Sequence, residues 1–510
     1  MRLGRWSKPQ DALVHAFHGA LWGDWAFSVG GVDAVSGNVT FSSGGTQEAR
    51  GFTTGAGYYV ENILEELDAP GEWFFDAATQ KLYMCVNGSA PPQGLSLVAS
   101  QLQTILSVRG NQSQPVMGVT LHGLTFTHTA ATFMEPFTAP SGGDWSFHNG
   151  GAVVLSGTQG CVISACSFIS VGGNGLMISG FNRGVNVMGN EFAWMGENAI
   201  VSAGLIGSAL NGLSGEYPEG TRVVSNLVRE IGVYIKQTGF YYAAISANTT
   251  LIGNVFFNGP RAGININDGF GGGHLIQNNL GFNLVRETAD HGVFNSWDRE
   301  PYYWNPNRPN DSTPLPIVIH QNLFINNYHS FFPIDNDDGS NNYFETQNFL
   351  LWGGSKDYLG FNKHMIGNVY VYADYIPILQ PFVQRLGLPK GDFSKYGLGN
   401  GWGVCTLAIG THSFDSTLTD TWVNNTCIAN SSQKFFDYRG CNPTTPHDGN
   451  IPALSSNTYL SGDGGYVLHC DNQTWDLAQA MAVGVDVGSS IGSLPPTEQL
   501  IQMGRATLGF

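Results

Sequence analysis

Three glycine- and aspartate-rich phrases decide how this chain is read: GININDGFGGGH (263–274), ETADHGVFNSWDRE (287–300) and PIDNDDGSNN (333–342). Asp268 stands eleven residues before Asn279 of NLG, and Asp337 stands eleven before Asn348 of NFL. Two acids in one register relative to a repeating Asn-x-hydrophobic phrase predict a shared face of a solenoid, whose repeats stack only on their neighbours.

Outward from that stretch, the anchor phrase recurs at Cys166, Asn190, Asn226, Asn254, Asn279, Asn322, Asn348 and Asn368, with spacings of 24, 36, 28, 25, 43, 26 and 20. A period in the twenties with occasional excess is what a three-strand coil with inserted loops produces. Runs such as VTLHGLTF, CVISACSF and VNVMGNEF are too short for helices. The recurrent Asn suits a turn in which its side chain bonds the next coil, a structural role. The excess lengths place loops at 205–220 and 299–316, and a partly helical insertion at 374–403.

Residues 1–112 lack the repeat and read as a β-rich lobe closing one end of the solenoid. It holds an alternating GNVTFSSG (37–44), a helical pattern VENILEELDAP (60–70) and an aromatic hairpin GEWFFDAATQKLYMCV (71–86). Residues 113–470 then form a parallel β-helix of roughly ten coils. Residues 471–510 form a helical cap, TWDLAQAMAV followed by PTEQLIQMGRATLGF, the latter covering the last coil.

Composition fits β structure: 68 glycines serve tight turns, and only 12% of residues are charged. A net charge of -17 with 22 Lys and Arg excludes a nucleic-acid partner, which needs clustered cations. No apolar run is long enough to span a membrane, and the first ten residues lack the apolar core of a signal peptide. Glycosylation triplets such as those at Asn38 and Asn248 nevertheless suit secretion. Of seven cysteines, Cys161 and Cys166 read as buried apolar residues, while Cys405, Cys427, Cys441 and Cys470 allow three pairings in an oxidising compartment.

Asp268, Glu287, Asp290, Asp298, Asp335, Asp337 and Asp338 lie on three successive coils. Coils are spaced about 4.8 Å apart, so acids of one register meet the carboxyl separations of glycoside hydrolysis, about 5–5.5 Å for retention and about 6.5–9.5 Å for inversion. Trp297, Tyr302, Tyr303 and Trp304 offer faces for sugar rings, and His291 could shuttle a proton or donate to substrate. Arg261, Arg286 and Arg299 pair with these acids or grip a uronate. GFGGGH lacks the lysine of a phosphate loop, DNDDGSNN breaks the EF-hand pattern, and no His/Cys group has zinc spacing. No cofactor is expected; calcium on stacked Asp side chains is compatible.

The phrases ENILEELDAPGEWFFD with KLYM (61–84), GGDWSFHNGGAVVLSG (142–157), PRAGININDGFGGG (260–273), DHGVFNSWDRE (290–300) and IDNDDGS (334–340) resemble right-handed parallel β-helix proteins of the pectate-lyase-like superfamily, and within it family 141 glycoside hydrolases. The resemblance implies a right-handed solenoid and a carbohydrate-active enzyme cleaving a cell-wall or algal polysaccharide. It implies a catalytic pair of Asp290 and Asp337, with Asp335 and Asp338 as rivals. Asp268, Glu287, His291, Trp297, Asp298, Arg299, Tyr302 and Trp304 are then expected around the substrate. A secreted monomer is expected. The alternatives are a polysaccharide lyase or uronate epimerase, and a non-catalytic glycan-binding surface solenoid.

Overall fold

From Leu106 onward each turn of the chain makes the same three short strands, and equivalent strands of successive turns pair in parallel. A computed structural model describes residues 3–48, 50–51, 57–88, 93–94, 96–140, 143, 145–204, 214–268, 271–297, 315–326, 330, 332–373, 405–409, 419–430, 435–439, 442, 452–470 and 473–510. The chain is a right-handed parallel β-helix with an N-terminal β lobe and C-terminal helices. Among the described residues sheet I has 15 strands, sheet II 11 and sheet III 12, and the coils visit them in that order.

The corner between sheets II and III shows why the sequence repeats as it does. The residue before each anchor is left-handed, for example Ser225 (φ 55°), Gly253 (φ 65°) and Gln347 (φ 54°), which turns the chain sharply. The Asn that follows is buried, and its backbone N–H donates to the Oδ1 of the Asn one coil on. The series runs unbroken through Asn190, Asn226, Asn254, Asn279, Asn322, Asn348, Asn368, Asn425 and Asn457. In most steps the side-chain amide donates to that same oxygen and to a carbonyl of an earlier turn, as Asn254 does to Asn279 at 2.9 Å and Val223 at 3.0 Å. A buried corner that would leave backbone groups orphaned is thereby satisfied. Cys166 stands at the first rung, where its N–H donates to Asn190. Inside, rings stack coil on coil, as in Phe126, Phe168 and Phe192, whose centroids are 4.9 and 4.5 Å apart.

Several boundaries and elements differ from expectation. Parallel pairing starts at Leu106, before residue 113, and reaches Ser490–Ser493 in sheet III. The pattern at 60–70 is no α-helix. Tyr58–Glu61 is a strand paired with Leu13–Ala16, followed by a single 3-10 turn at Leu64–Glu66, because pairing outweighs a short run's weak helix propensity. The hairpin forms between Trp73–Asp76 and Lys81–Met84.

The lobe, a four-stranded antiparallel sheet, sits against the side of the solenoid and not on its end. Ala26 packs with Phe133 and Ile235, and Lys236 N–H donates to Asp24. The last helix, Thr497–Thr507, also lies on a flank. Leu500 packs on Phe349, Val371 and Ile428 of sheet III, whose outer side is apolar there and needs cover. The final coil is closed instead by the antiparallel strand Gln473–Trp475 and the helix Leu477–Ala482, which send Trp475, Leu477 and Ala480 into the core. The insertion at 374–403 lies outside the described residues.

Candidate active site

Sheet I strands expose every second residue outward, and pairing sets which outward residues stack. Asn265 pairs with Asn295, Asn295 with Asp335, and Asp335 with Lys356, so one column carries two amides, an acid and a lysine. Asp337 follows Asn336 at the strand's exit. Its turn is pinned by Ser340, whose N–H and Oγ both donate to the Asp337 carbonyl at 3.0 and 2.6 Å. Gly339 adopts φ 84°, a conformation that a side chain there would strain. Asp290 approaches from the entry side, on the segment between sheet III and the sheet I strand Phe294–Trp297.

These elements converge on Lys356. Its Nζ lies 3.5 Å from Asp290 Oδ1, 3.2 Å from Asp335 Oδ1 and 3.1 Å from Asp337 Oδ1. The lysine side chain is 5% exposed and Asp335 fully buried, whereas Asp290 and Asp337 keep 29% and 26% exposure. Two carboxyls therefore face solvent over a buried cation, with a third acid behind them. The distances of Asp290 and Asp337 to Nζ, 3.5 and 3.1 Å, bound the separation of these two oxygens at 6.6 Å. Burial, opposed by Lys356 and reinforced by Asp337 and Asp290, holds the Asp335 carboxyl well above the usual range. Lys356 is held well above the ordinary lysine value: burial works against its charge, but the three carboxyls outweigh it. Asp335 Oδ2 accepts from Asn295 Nδ2 at 3.1 Å.

The cation at the centre was not among the expected site residues. Lys356 lies in SKDY, away from the acid-rich phrases, and the signal that finds it is its position one coil beyond Asp335. Asp338 shares the turn of Asp337 and is partly exposed, but Lys356 makes its ion pairs with the other three acids.

The common register of Asp268 and Asp337 does not hold. Continued past Asn336, the pairing sets Asp337 opposite Trp297, which pairs with Asn267, so Asp268 falls one residue beyond the column. Counting from the Asn anchors missed the step because the turns between sheets I and II differ in length. Glu287 lies elsewhere, paired with Lys236 at 3.1 Å beside the lobe. His291 Nε2 accepts from Arg261 Nη2, and that guanidinium stacks on Trp145 at 4.2 Å. Arg286 pairs with Glu230 at 3.6 Å, away from the acids.

Trp297 offers no open face. It is 5% exposed, with Arg50 over its ring at 5.5 Å and the Gly143 backbone so close that an added Cβ would coincide with the indole. Asp298, Arg299, Tyr302, Tyr303 and Trp304 lie outside the described residues. Among the described residues no group of three or more His, Cys, Asp or Glu side chains is arranged to hold a metal ion. Cys405 and Cys427 face each other in the interior with Cα atoms 6.1 Å apart, while Cys161 and Cys166 are buried free thiols.

A solved glycoside hydrolase is similar over 71% of this chain and 68% of its own, at 17% identity and a TM-score of 0.55. That likeness is one of fold, a parallel β-helix. Two further solved structures match more loosely. One is XylC with xylose, at 11% identity over 81% of this chain and 67% of that one, TM-score 0.42. The other is DFA-IIIase from Arthrobacter chlorophenolicus A6 in complex with GF2, at 13% identity over 66% and 85%, TM-score 0.26. No family model matches the sequence, and no curated protein does.

Proposed function

We propose that this chain is a glycoside hydrolase of polysaccharides, with Asp290 and Asp337 as its working carboxyls. The observation that carries this is their joint approach, both solvent-exposed, to one buried lysine. The two Oδ1 atoms that face Nζ lie no more than 6.6 Å apart, which admits the retaining separation. A double displacement fits. Asp337, fixed in its turn, attacks the anomeric carbon while Asp290 protonates the leaving oxygen. Asp290 then takes a proton from water as that water's oxygen displaces Asp337. Lys356 and Asp335 position the pair.

A lyase or epimerase must neutralise a uronate carboxylate and present a base. Here the central cation is already matched by three acids, which would repel a uronate, so a neutral sugar suits the site better. Secretion fits a polymeric substrate and would let Cys405 and Cys427 pair.

The test is incubation with xylan, galactan, fucoidan, homogalacturonan and alginate in ¹⁸O-labelled water. Hydrolysis incorporates the label at new reducing ends. Unlabelled products absorbing near the ultraviolet edge would mean elimination instead, and the absence of any product would reject catalysis on this panel.

A further inference from the structure

We infer that the site receives a sugar chain by its end, because the protein itself fills the sheet I surface on the N-terminal side of the acids. This rests on the hydrolase reading above. In a solenoid groove open at both ends, a polymer could lie along the axis and be cut anywhere. Here the outward residues of the preceding coils are spoken for: Trp145 and Phe147, 1% and 2% exposed, pack over Met177, Val201, Tyr242 and Ala244. The cover extends to the coil that carries Asp290. Trp297 belongs to the strand that pairs with Asp335's, and it lies under Gly143 and Arg50. That wall stands on the coil of Asp290 and one coil, about 4.8 Å, from the coil of Asp335 and Asp337, no more room than a single sugar ring.

The wall is anchored. Ser146 Oγ donates to the Gln47 carbonyl, Gln47 Nε2 donates to the Phe133 carbonyl at 2.6 Å, and Gln47 Oε1 accepts from Ala26 N–H at 3.2 Å. Buried bonds of this kind join the 145–147 segment, the lobe and the solenoid into one body. The lobe also stands beside Asp290, where the neighbouring Ala289 N–H donates to the Leu21 carbonyl at 2.8 Å. A chain entering the site therefore meets protein after one sugar on this side, and the bond presented to Asp290 and Asp337 is a terminal one.

Two measurements test this. The five polysaccharides are digested without a label and the fragments released at early times are sized. End-on attack yields one short product length throughout, while polymer viscosity falls only in proportion to sugar released. Released fragments of many lengths, with viscosity lost early, overturn it. Separately, the Asp337→Asn variant is titrated with short and long chains by calorimetry. One protein bound per chain at every length is expected, and several proteins on a long chain refute end-on binding even if turnover is absent. Absence of both binding and turnover on every glycan sinks the hydrolase reading, and the inference with it.

Discussion

Removing the central cation tests the site's electrostatics without needing a substrate. In Lys356→Met the three carboxyls lose a common partner that is 5% exposed. At the 3.2 Å between Nζ and Asp335 Oδ1, a unit-charge pair is worth about 5 kcal/mol at an effective dielectric of about 20, before desolvation is subtracted. Breaking a buried pair by deleting one partner costs about 3–5 kcal/mol. The loss depends on pH with a definite sign. Asp335 is already raised by burial, and removing Lys356 deletes the main influence that lowers it. A carboxyl raised above its unfolded value keeps its stability contribution in acid and loses it as pH rises through the folded value. Urea unfolding should therefore show a small deficit at about pH 4 and about 3–5 kcal/mol at about pH 8. Adding Asp335→Asn, which removes the deepest charge, should recover at least half of the loss at the higher pH. An equal deficit at both pH values, or no recovery in the double variant, would refute a cation held to compensate buried acid.

Other outcomes follow from the same geometry. Asn254→Ala removes an acceptor for Asn226 and a donor to Asn279 and Val223 inside the corner, and should cost about 3 kcal/mol in urea unfolding. Glu197 and Glu345 are pushed by burial up to about 8 and about 7, so stability should decline as pH rises through those values. The paired substitutions Glu197→Gln and Glu345→Gln should flatten that decline in thermal melts. Leu500→Ala should weaken the last helix's hold on sheet III by about 2–5 kcal/mol, read as faster amide exchange in Thr497–Thr507.

Much of the fold was legible because one residue type performs one task in every coil. Asn at a left-handed corner leaves a mark with a period, and that mark alone located the solenoid, although Asn425 and Asn457 lie past the anchors first recognised. The acids were legible as a cluster, but which of them meet depends on register. Register accumulates from turn lengths that the anchors do not report, so Asp268 was misplaced by one residue and Lys356 went unseen. Trp297 shows a different limit. Its outward position on sheet I was readable, but Arg50 of the lobe, which lies over its ring, is more than two hundred residues away in sequence, and no local pattern announces that contact. The same holds for the last helix, whose amphipathic sequence gives a buried face without naming the surface it covers.

The most direct test of the central claim is sugar release by the parent protein and by Asp290→Asn and Asp337→Asn variants, each matched to the parent by circular dichroism and thermal melting. Both carboxyls are partly exposed, so both variants should stay folded. Each should lose at least about 10²–10⁴-fold in turnover, the usual contribution of a positioned acid or base. Folded variants that degrade glycans as fast as the parent would contradict the assignment of Asp290 and Asp337.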